Sequence, residues 1–160
     1  MDPFAPLAEE RPGAPAPSPA PDALRHVLFR LGGERYAVPL EAVREVVVPQ
    51  PPFARVPRAS EAVRGVMNLR GRVVAVVDLA RLVGLPAQPL AGGAGHVLLL
   101  EGDRRALGFL VGAVLGVDAI VPAGERTGIA RGVAATRIGA ATVLAADALA
   151  EAADALFTGR

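Results

Sequence analysis

Val63-Arg64-Gly65-Val66-Met67-Asn68-Leu69-Arg70-Gly71-Arg72-Val73-Val74-Ala75-Val76-Val77-Asp78-Leu79 decides how this chain is read. The stretch divides into a loop carrying Asn68 and Arg70, a turn at Gly71, a β-branched strand from Val73 to Val77, and an aspartate placed to cap the next element. The strand is apolar on both faces, so it is expected in the interior of a barrel or sandwich and not on a half-wet sheet. Arg70 then sits at the mouth of a core.

On the C-terminal side, Asp78 is read as the cap of a helix through Leu82, stopped by Gly84 and Pro86. On the N-terminal side, His26 to Leu31 reads as a strand, Gly32-Gly33 as a hairpin turn and Arg35 to Val38 as the returning strand. Pro39 opens a short helix in which Leu40, Val43 and Val47 share a face while Glu41, Arg44 and Glu45 lie toward water or a partner. Pro49, Pro51, Pro52 and Pro57 exclude regular structure from the next connection, and Ser60 caps one turn through Val63. Residues 1–23 hold seven of the 15 prolines, mixed with alanine and glutamate. They are expected to be a disordered tail, partly polyproline II, serving as a spacer.

After a flexible glycine-rich connection at 91–95 the pattern begins again. His96 to Leu100, Gly102-Asp103 and Ala106 to Phe109 repeat the first hairpin at an offset of 70 residues. Ala130-Arg131-Gly132-Val133 echoes Val63-Arg64-Gly65-Val66, Arg137 matches Arg70, and Asp147 before a terminal helix matches Asp78. The spacing implies an internal duplication, with a first repeat at about 24–90 and a second at about 96–157. Each half has about five short strands and a short helix, a unit too small to bury more than a marginal core. The expected fold is mostly β: two small, pseudo-symmetric five-stranded barrels sharing an apolar seam, with a functional groove between them. Leu149, Ala153 and Leu156 form the stripe by which the terminal helix docks.

Composition removes several kinds of function. The 160 residues are 52% hydrophobic, which suits a globular core. There is no cysteine, so no disulfide or thiolate chemistry, and every one of the 17 basic residues is arginine, which excludes a phosphate-loop lysine, a Schiff base and a Ser-Lys dyad. Arginines and carboxylates are interspersed to a net charge of +1 and aromatics are 4%, so nucleic acid is not an expected partner. Ser18 and Ser60, the only serines, lack a nucleophile elbow. His26 and His96 occupy equivalent positions and are expected as edge residues of a duplicated hairpin; Asp78 and Asp147 are expected as duplicated caps. No metal, cofactor or catalytic set is expected. The amino terminus has neither a basic n-region nor an apolar h-region, and the longest apolar run, Ala106 to Val117, is interrupted by glycines and falls short of the roughly 20 residues that span a bilayer. A cytoplasmic protein without direct membrane insertion is the expectation.

Phe29 to Leu40, Val43-Arg44-Glu45-Val46, Pro57, Arg64 to Gly71 and Val76-Val77-Asp78-Leu79 together resemble the CheW coupling proteins of bacterial chemotaxis. The most specific element is Gly-Val-x-Asn-Leu-Arg-Gly followed by an apolar strand and Asp-Leu, and the resemblance runs from Leu24 to about Leu156. It implies a non-enzymatic adaptor of two SH3-like barrels that links the cytoplasmic tip of a chemoreceptor to the regulatory domain of a CheA-type histidine kinase. Related systems for gliding, pili or development use the same domain. Carried over, Val43 and Glu45 fall near the family's receptor-binding groove, and Arg70, with Asn68 beside it, falls on its functional arginine. Charge alone suits Glu45 and Arg70 to a partly buried, bidentate pair. The chain departs from the family at Val111-Gly112, where Val-Asp is usual, and at Ala145-Ala146, where larger aliphatics are usual. The Gly112 departure implies an alternative, a spacer in a receptor array that binds receptors without activating kinase.

Overall fold

The computed structural model describes residues 23–89, 95–101, 106–121 and 128–157. Almost all of the proline-rich tail and the glycine-rich connection, and the turn at Gly102-Asp103, lie outside the described residues. Among the described residues ten strands and two α-helices run in order: β1 (Leu24–Leu31), β2 (Glu34–Pro39), β3 (Val43–Val47), β4 (Val63–Leu69), β5 (Arg72–Asp78), α1 (Leu79–Leu82), β6 (His96–Leu100), β7 (Leu107–Val111), β8 (Ala113–Ile120), β9 (Ala130–Thr136), β10 (Gly139–Leu144) and α2 (Ala146–Ala155).

The strands form two five-stranded sheets, in the orders β8-β1-β2-β10-β9 and β3-β6-β7-β5-β4. Exchanging β1–β5 with β6–β10 turns one order into the other. Each sheet takes two strands from one half of the chain and three from the other, so a sheet is not a half of the sequence. The chain crosses between sheets at corresponding points, after β2 and after β7. Backbone bonds tie the crossings across the seam, from Glu101 N to Ala42 O and from Gly112 N to Arg30 O, each 2.8 Å.

Local chemistry explains the elements whose sequence pattern is decisive. Gly32-Gly33 joins β1 to β2 with Leu31 opposite Glu34, and Gly32 takes φ 58°, open to a residue without a Cβ. Asp78 Oδ1 accepts from Ala80 N at 3.1 Å and caps α1. Four expectations are corrected. Leu40–Ala42 is a single 3₁₀ turn and Val43–Val47 is β3, because a valine-rich run gains more from a ladder with β6 than from a second helical turn. Val63–Leu69, expected as a one-turn segment and then a loop, is β4, paired along its length with β5. Val73 is 64% exposed, so the strand it begins is apolar on both faces only from Val74 onward. His26 and His96 are not edge residues: β1 lies between β8 and β2, and β6 between β3 and β7. His26 is buried, with Nδ1 2.7 Å from Leu24 O, and burial is the main cause of a pKa below the ordinary imidazole value. The Asp147 expectation also shifts, since α2 starts at Ala146, two residues earlier than a cap at Asp147 would place it. Ala145 occupies the cap position, and Asp147 accepts from Ala148 N in the first turn, where a carboxylate suits the positive helix end.

Three apolar clusters hold the sheets. Leu28, Ala37, Ile120, Ala134, Ala141 and Val143 pack together on the first sheet, and Val74, Val76, Val97, Leu99 and Leu110 on the second. The largest cluster lies between them, where Val27, Phe29, Leu31, Tyr36 and Val38 meet Val77, Leu98, Leu100, Phe109 and Val111, with Leu149 and Ala153 of α2 docked against it. This is the shared seam.

Tyr36, the single tyrosine, stacks on Phe29 at 6.1 Å between ring centroids and donates its hydroxyl to Glu34 Oε1 at 3.0 Å. Burial first and that bond second push its pKa up to about 12. Unfolded tyrosine titrates near pH 10, so the folded state keeps a proton that the unfolded state loses. The stability this contributes is complete below about pH 10 and is lost as pH rises through about 12. Phenolate absorbance is expected to show a midpoint near 12 in the folded protein and near 10 in denaturant. A folded midpoint near 10 would mean that the hydroxyl is open to water.

Candidate functional site

The β4–β5 hairpin has Leu69 opposite Arg72, leaving Arg70 and Gly71 as a two-residue turn. Both are left-handed, with φ 51° and 85°, the mirror-image turn whose twist matches that of paired strands. Asn68 Oδ1 accepts from Gly71 N at 2.9 Å and fixes the turn. Glycine is at ease in this region and arginine is not, so the fold holds Arg70 in a disfavoured backbone conformation at an exposed tip.

From that tip Arg70 reaches Glu45 on β3. Nη1 donates to Oε1 at 3.0 Å and Nη2 to Oε2, a bidentate pair. Strands β3 and β4 are opposite edges of their sheet. No ladder joins them among the described residues, so the second sheet curls until its edges meet across this ion pair. The expected pair is present but lies at the surface, with side-chain exposures of 69% for Arg70 and 26% for Glu45. The Arg70 guanidinium holds the Glu45 carboxyl below the usual carboxylate range, and Glu45 in turn raises Arg70. The pair is intact above the ordinary carboxylate pKa and is lost as pH falls through the depressed value. Its exposure to solvent and salt keeps its effect on stability small.

The other two expected residues play different parts. Val43 is half-buried and packs on the margin of the seam cluster. Asn68 is exposed, but its carbonyl is spent on the turn.

The first sheet has a matching arrangement whose acidic member sequence reading does not identify. Arg137, at the β9–β10 tip, places Nε 3.7 Å from Asp118 Oδ1 and donates Nη2 to Val117 O at 2.7 Å, while its amide donates to Asp118 Oδ2 at 2.8 Å. Asp118 lies on β8, the edge strand opposite β9. The available signal is Arg137 itself, the repeat of Arg70; Asp118 pairs with His26 whereas Glu45 pairs with Leu99, the counterpart of Phe29, so the two acids stand at different register positions and the repeat offset does not lead from one to the other.

Beside the Arg70 hairpin, the Asp78 cap makes further contacts that sequence reading does not give. Asp78 is fully buried, and its Oδ2 accepts from Arg64 Nη1 and from Gln88 N, both at 2.9 Å. Arg64 Nη1 also donates to Gln88 O at 2.6 Å. The carboxylate thus ties β4, β5, α1 and the connection after α1 together. Gln88 accounts for the Gly112 departure as well. A Cβ at 112 would stand 2.8 Å from Arg30 O and 3.1 Å from Gln88 Oε1, so the glutamine fills the space that a side chain would need.

A family model described as the CheW-like domain matches residues 25–153. The probable chemotaxis protein CheW of Rhizobium etli is 38% identical over 90 residues, covering 55% of this chain and 56% of that protein. Protein PilI of Pseudomonas aeruginosa is 31% identical over 106 residues, covering 66% and 58%. The matched region thus spans little more than half the length of these curated relatives. Among solved structures, the scaffolding protein TtCheW from Thermoanaerobacter tengcongensis has the same fold, with a TM-score of 0.65 and 24% identity over 76% of this chain and 88% of that one. The two five-stranded sheets, the Asn68-Leu69-Arg70-Gly71 tip and a family model reaching from β1 to α2 agree: the chain belongs to the CheW-like domain family.

Proposed function

We propose that this chain is a non-enzymatic adaptor that couples the cytoplasmic tip of a methyl-accepting chemoreceptor to the regulatory domain of a CheA-type histidine kinase, in the cytoplasm at membrane receptor arrays. The observation that carries it is Arg70, held left-handed at an exposed tip and locked to Glu45 across the edges of a sheet. The hairpin turn requires the positive φ, and an arginine kept there where glycine would be at ease supports a functional role for its side chain. Val43, Glu45, Asn68 and Arg70 are the interface residues in this reading: Asn68 shapes the tip, Arg70 and Glu45 act as one rigid unit, and Val43 borders the seam. Residues 24–157 are the binding unit and 1–23 a spacer. In this reading attachment to an array runs through the receptor; among the described residues no helix is long and apolar enough to cross a membrane.

Titration calorimetry of the wild type and of Arg70→Ala, against the kinase regulatory domain and a receptor-tip fragment, tests this. The wild type is expected to bind both. Arg70→Ala is expected to melt within a few degrees of the wild type, because the lost pair is exposed, and to lose at least about tenfold in receptor affinity, as when the partner of an interfacial charge pair is removed. Full receptor binding by the folded variant removes Arg70 from the interface; wild-type binding to neither protein removes the adaptor reading.

Similarity to PilI favours a second reading, a CheW-like protein of a non-flagellar system serving pili, gliding or development. A spacer that binds receptors without activating kinase is separated from both by kinase flux in reconstituted arrays.

A further inference from the structure

The second sheet has two edges, β3 and β4, and the fold treats them differently. The connection between them covers β4, where Ala54 and Val66 exchange backbone bonds at 3.0 and 2.8 Å. Strand β3 has no such cover: among the described residues it pairs with β6 alone. Val47 packs on the Val74–Leu99 cluster, so Val46 and Val48, on either side of it, point the other way. They are 39% and 63% exposed. The other large apolar side chains exposed among the described residues, such as Val73, Val133 and Ile138, stand one to an element. Single exposed apolar residues are ordinary, whereas a pair beside a bare strand edge is a liability that folds cover.

The chain itself contains a cover. Residues 1–22 lie outside the described residues, and their composition is uneven. Apart from Met1, the large apolar residues among them are Phe4 and Leu7, and Leu7-Ala8-Glu9-Glu10-Arg11 is their longest run without proline. From Pro12 to Pro21 the sequence is proline, alanine, glycine and serine only, the composition of a spacer. Three residues apart, Phe4 and Leu7 share one face of a polyproline-II chain. The spacer also ends in the right place. β1 begins at Leu24 and packs beside the Leu40–Ala42 turn, with His26 opposite Pro39, and that turn runs directly into β3. Val43 to Val48 is about 16 Å of strand, while residues 12–22 span about 34 Å as polyproline II.

We infer that Phe4 and Leu7 of this chain seat on Val46 and Val48, forming a strap across the β3 edge that a partner of the Arg70–Glu45 unit must displace. The apolar contact holds the strap, and the tether raises its local concentration to millimolar order. Residues 12–22 remain the spacer and set the reach. Glu45 directly precedes Val46, so strap and partner compete for one edge. The competition, though not the strap, rests on the adaptor reading.

Tryptophan emission tests the strap, because the chain has no tryptophan of its own. In the full chain carrying Phe4→Trp, emission is expected to be blue-shifted from its value in denaturant, equally at every protein concentration. It is expected to move toward the denatured value when Val46→Thr/Val48→Asp is added, and that variant is expected to melt close to its parent, since both side chains are exposed. Leu7→Ser added to Phe4→Trp gives the same reading without touching the described fold. Emission at the denatured wavelength, or emission that neither addition moves, overturns the strap. A blue shift that grows with concentration overturns it in favour of a second copy. Titration calorimetry of Phe4→Ser/Leu7→Ser against the receptor-tip fragment is expected to show at least about threefold tighter binding than the wild type, because a closed strap withholds the binding-competent fraction. Unchanged affinity overturns the competition. Failure of the wild type to bind the fragment removes the adaptor reading, and the emission still decides the strap.

Discussion

Replacing Asp78 with alanine is expected to lower the stability of the fold by about 3 kcal/mol, within the range for breaking a buried, hydrogen-bonded charge pair. The side chain has no exposure and serves three donors: Ala80 N, Gln88 N and Arg64 Nη1. Removing it leaves two buried amides without an acceptor, takes away the cap of α1 and strands a guanidinium. Arg64 is 23% exposed and keeps its bond to Gln88 O, so water relieves part of the last cost, which places the loss at the lower end of the range. Asp78→Asn retains an oxygen for the cap but turns the other position into a donor facing Gln88 N, and is expected to cost about half as much. Denaturant unfolding followed by circular dichroism reads both. An Asp78→Ala protein within about 1 kcal/mol of the wild type would show that the carboxylate organises nothing. Function is expected to suffer with stability, because the same carboxylate anchors the hairpin that presents Arg70.

What can be read from sequence divides by range. The β1–β2 hairpin and the Asp78 cap are legible because a few neighbouring residues decide them. β3 reads wrongly because Pro39 before apolar residues at helical spacing imitates a helix; the ladder that overrides it comes from β6, more than fifty residues away. β4 reads wrongly because Arg64, Gly65 and Asn68 break its apolar alternation, and its pairing with β5 and its cover by Phe53-Ala54 are tertiary. The duplication sets an expectation of about five strands per half, but the interleaving of the strands between sheets is not legible. Nothing local in β1 announces β8, and nothing in β5 announces β7. At the candidate site the charges of Glu45 and Arg70 are enough to suggest a pair, yet its exposure depends on how far the sheet curls.

Gly65 and Gly71, on either side of Arg70, are expected to respond very differently to one added methyl. Gly65→Ala is expected to cost about 3 kcal/mol and Gly71→Ala about 1 kcal/mol, although both have positive φ, 138° and 85°. Gly71 is open, with nothing within 4 Å of an added Cβ, so only its backbone preference is lost. At Gly65 a Cβ would stand 2.6 Å from Ala54 O and 2.7 Å from Phe53 Cβ. Neither neighbour yields cheaply. Ala54 is bonded to Val66 in both directions, at 3.0 and 2.8 Å, and Phe53 packs on the core of the second sheet. Gly65 also lies where the β4–β5 register shifts, a position that favours a residue without a side chain. To admit the methyl, the Phe53-Ala54 segment must leave β4, an edge strand, and an uncovered edge invites pairing with another chain. Gly65→Ala is therefore expected to melt at a lower temperature and to self-associate as concentration rises, whereas Gly71→Ala stays dispersed and close to the wild type. Equal costs for the two substitutions, or a Gly65→Ala protein as stable as the wild type, would show that Phe53-Ala54 is not fixed against β4.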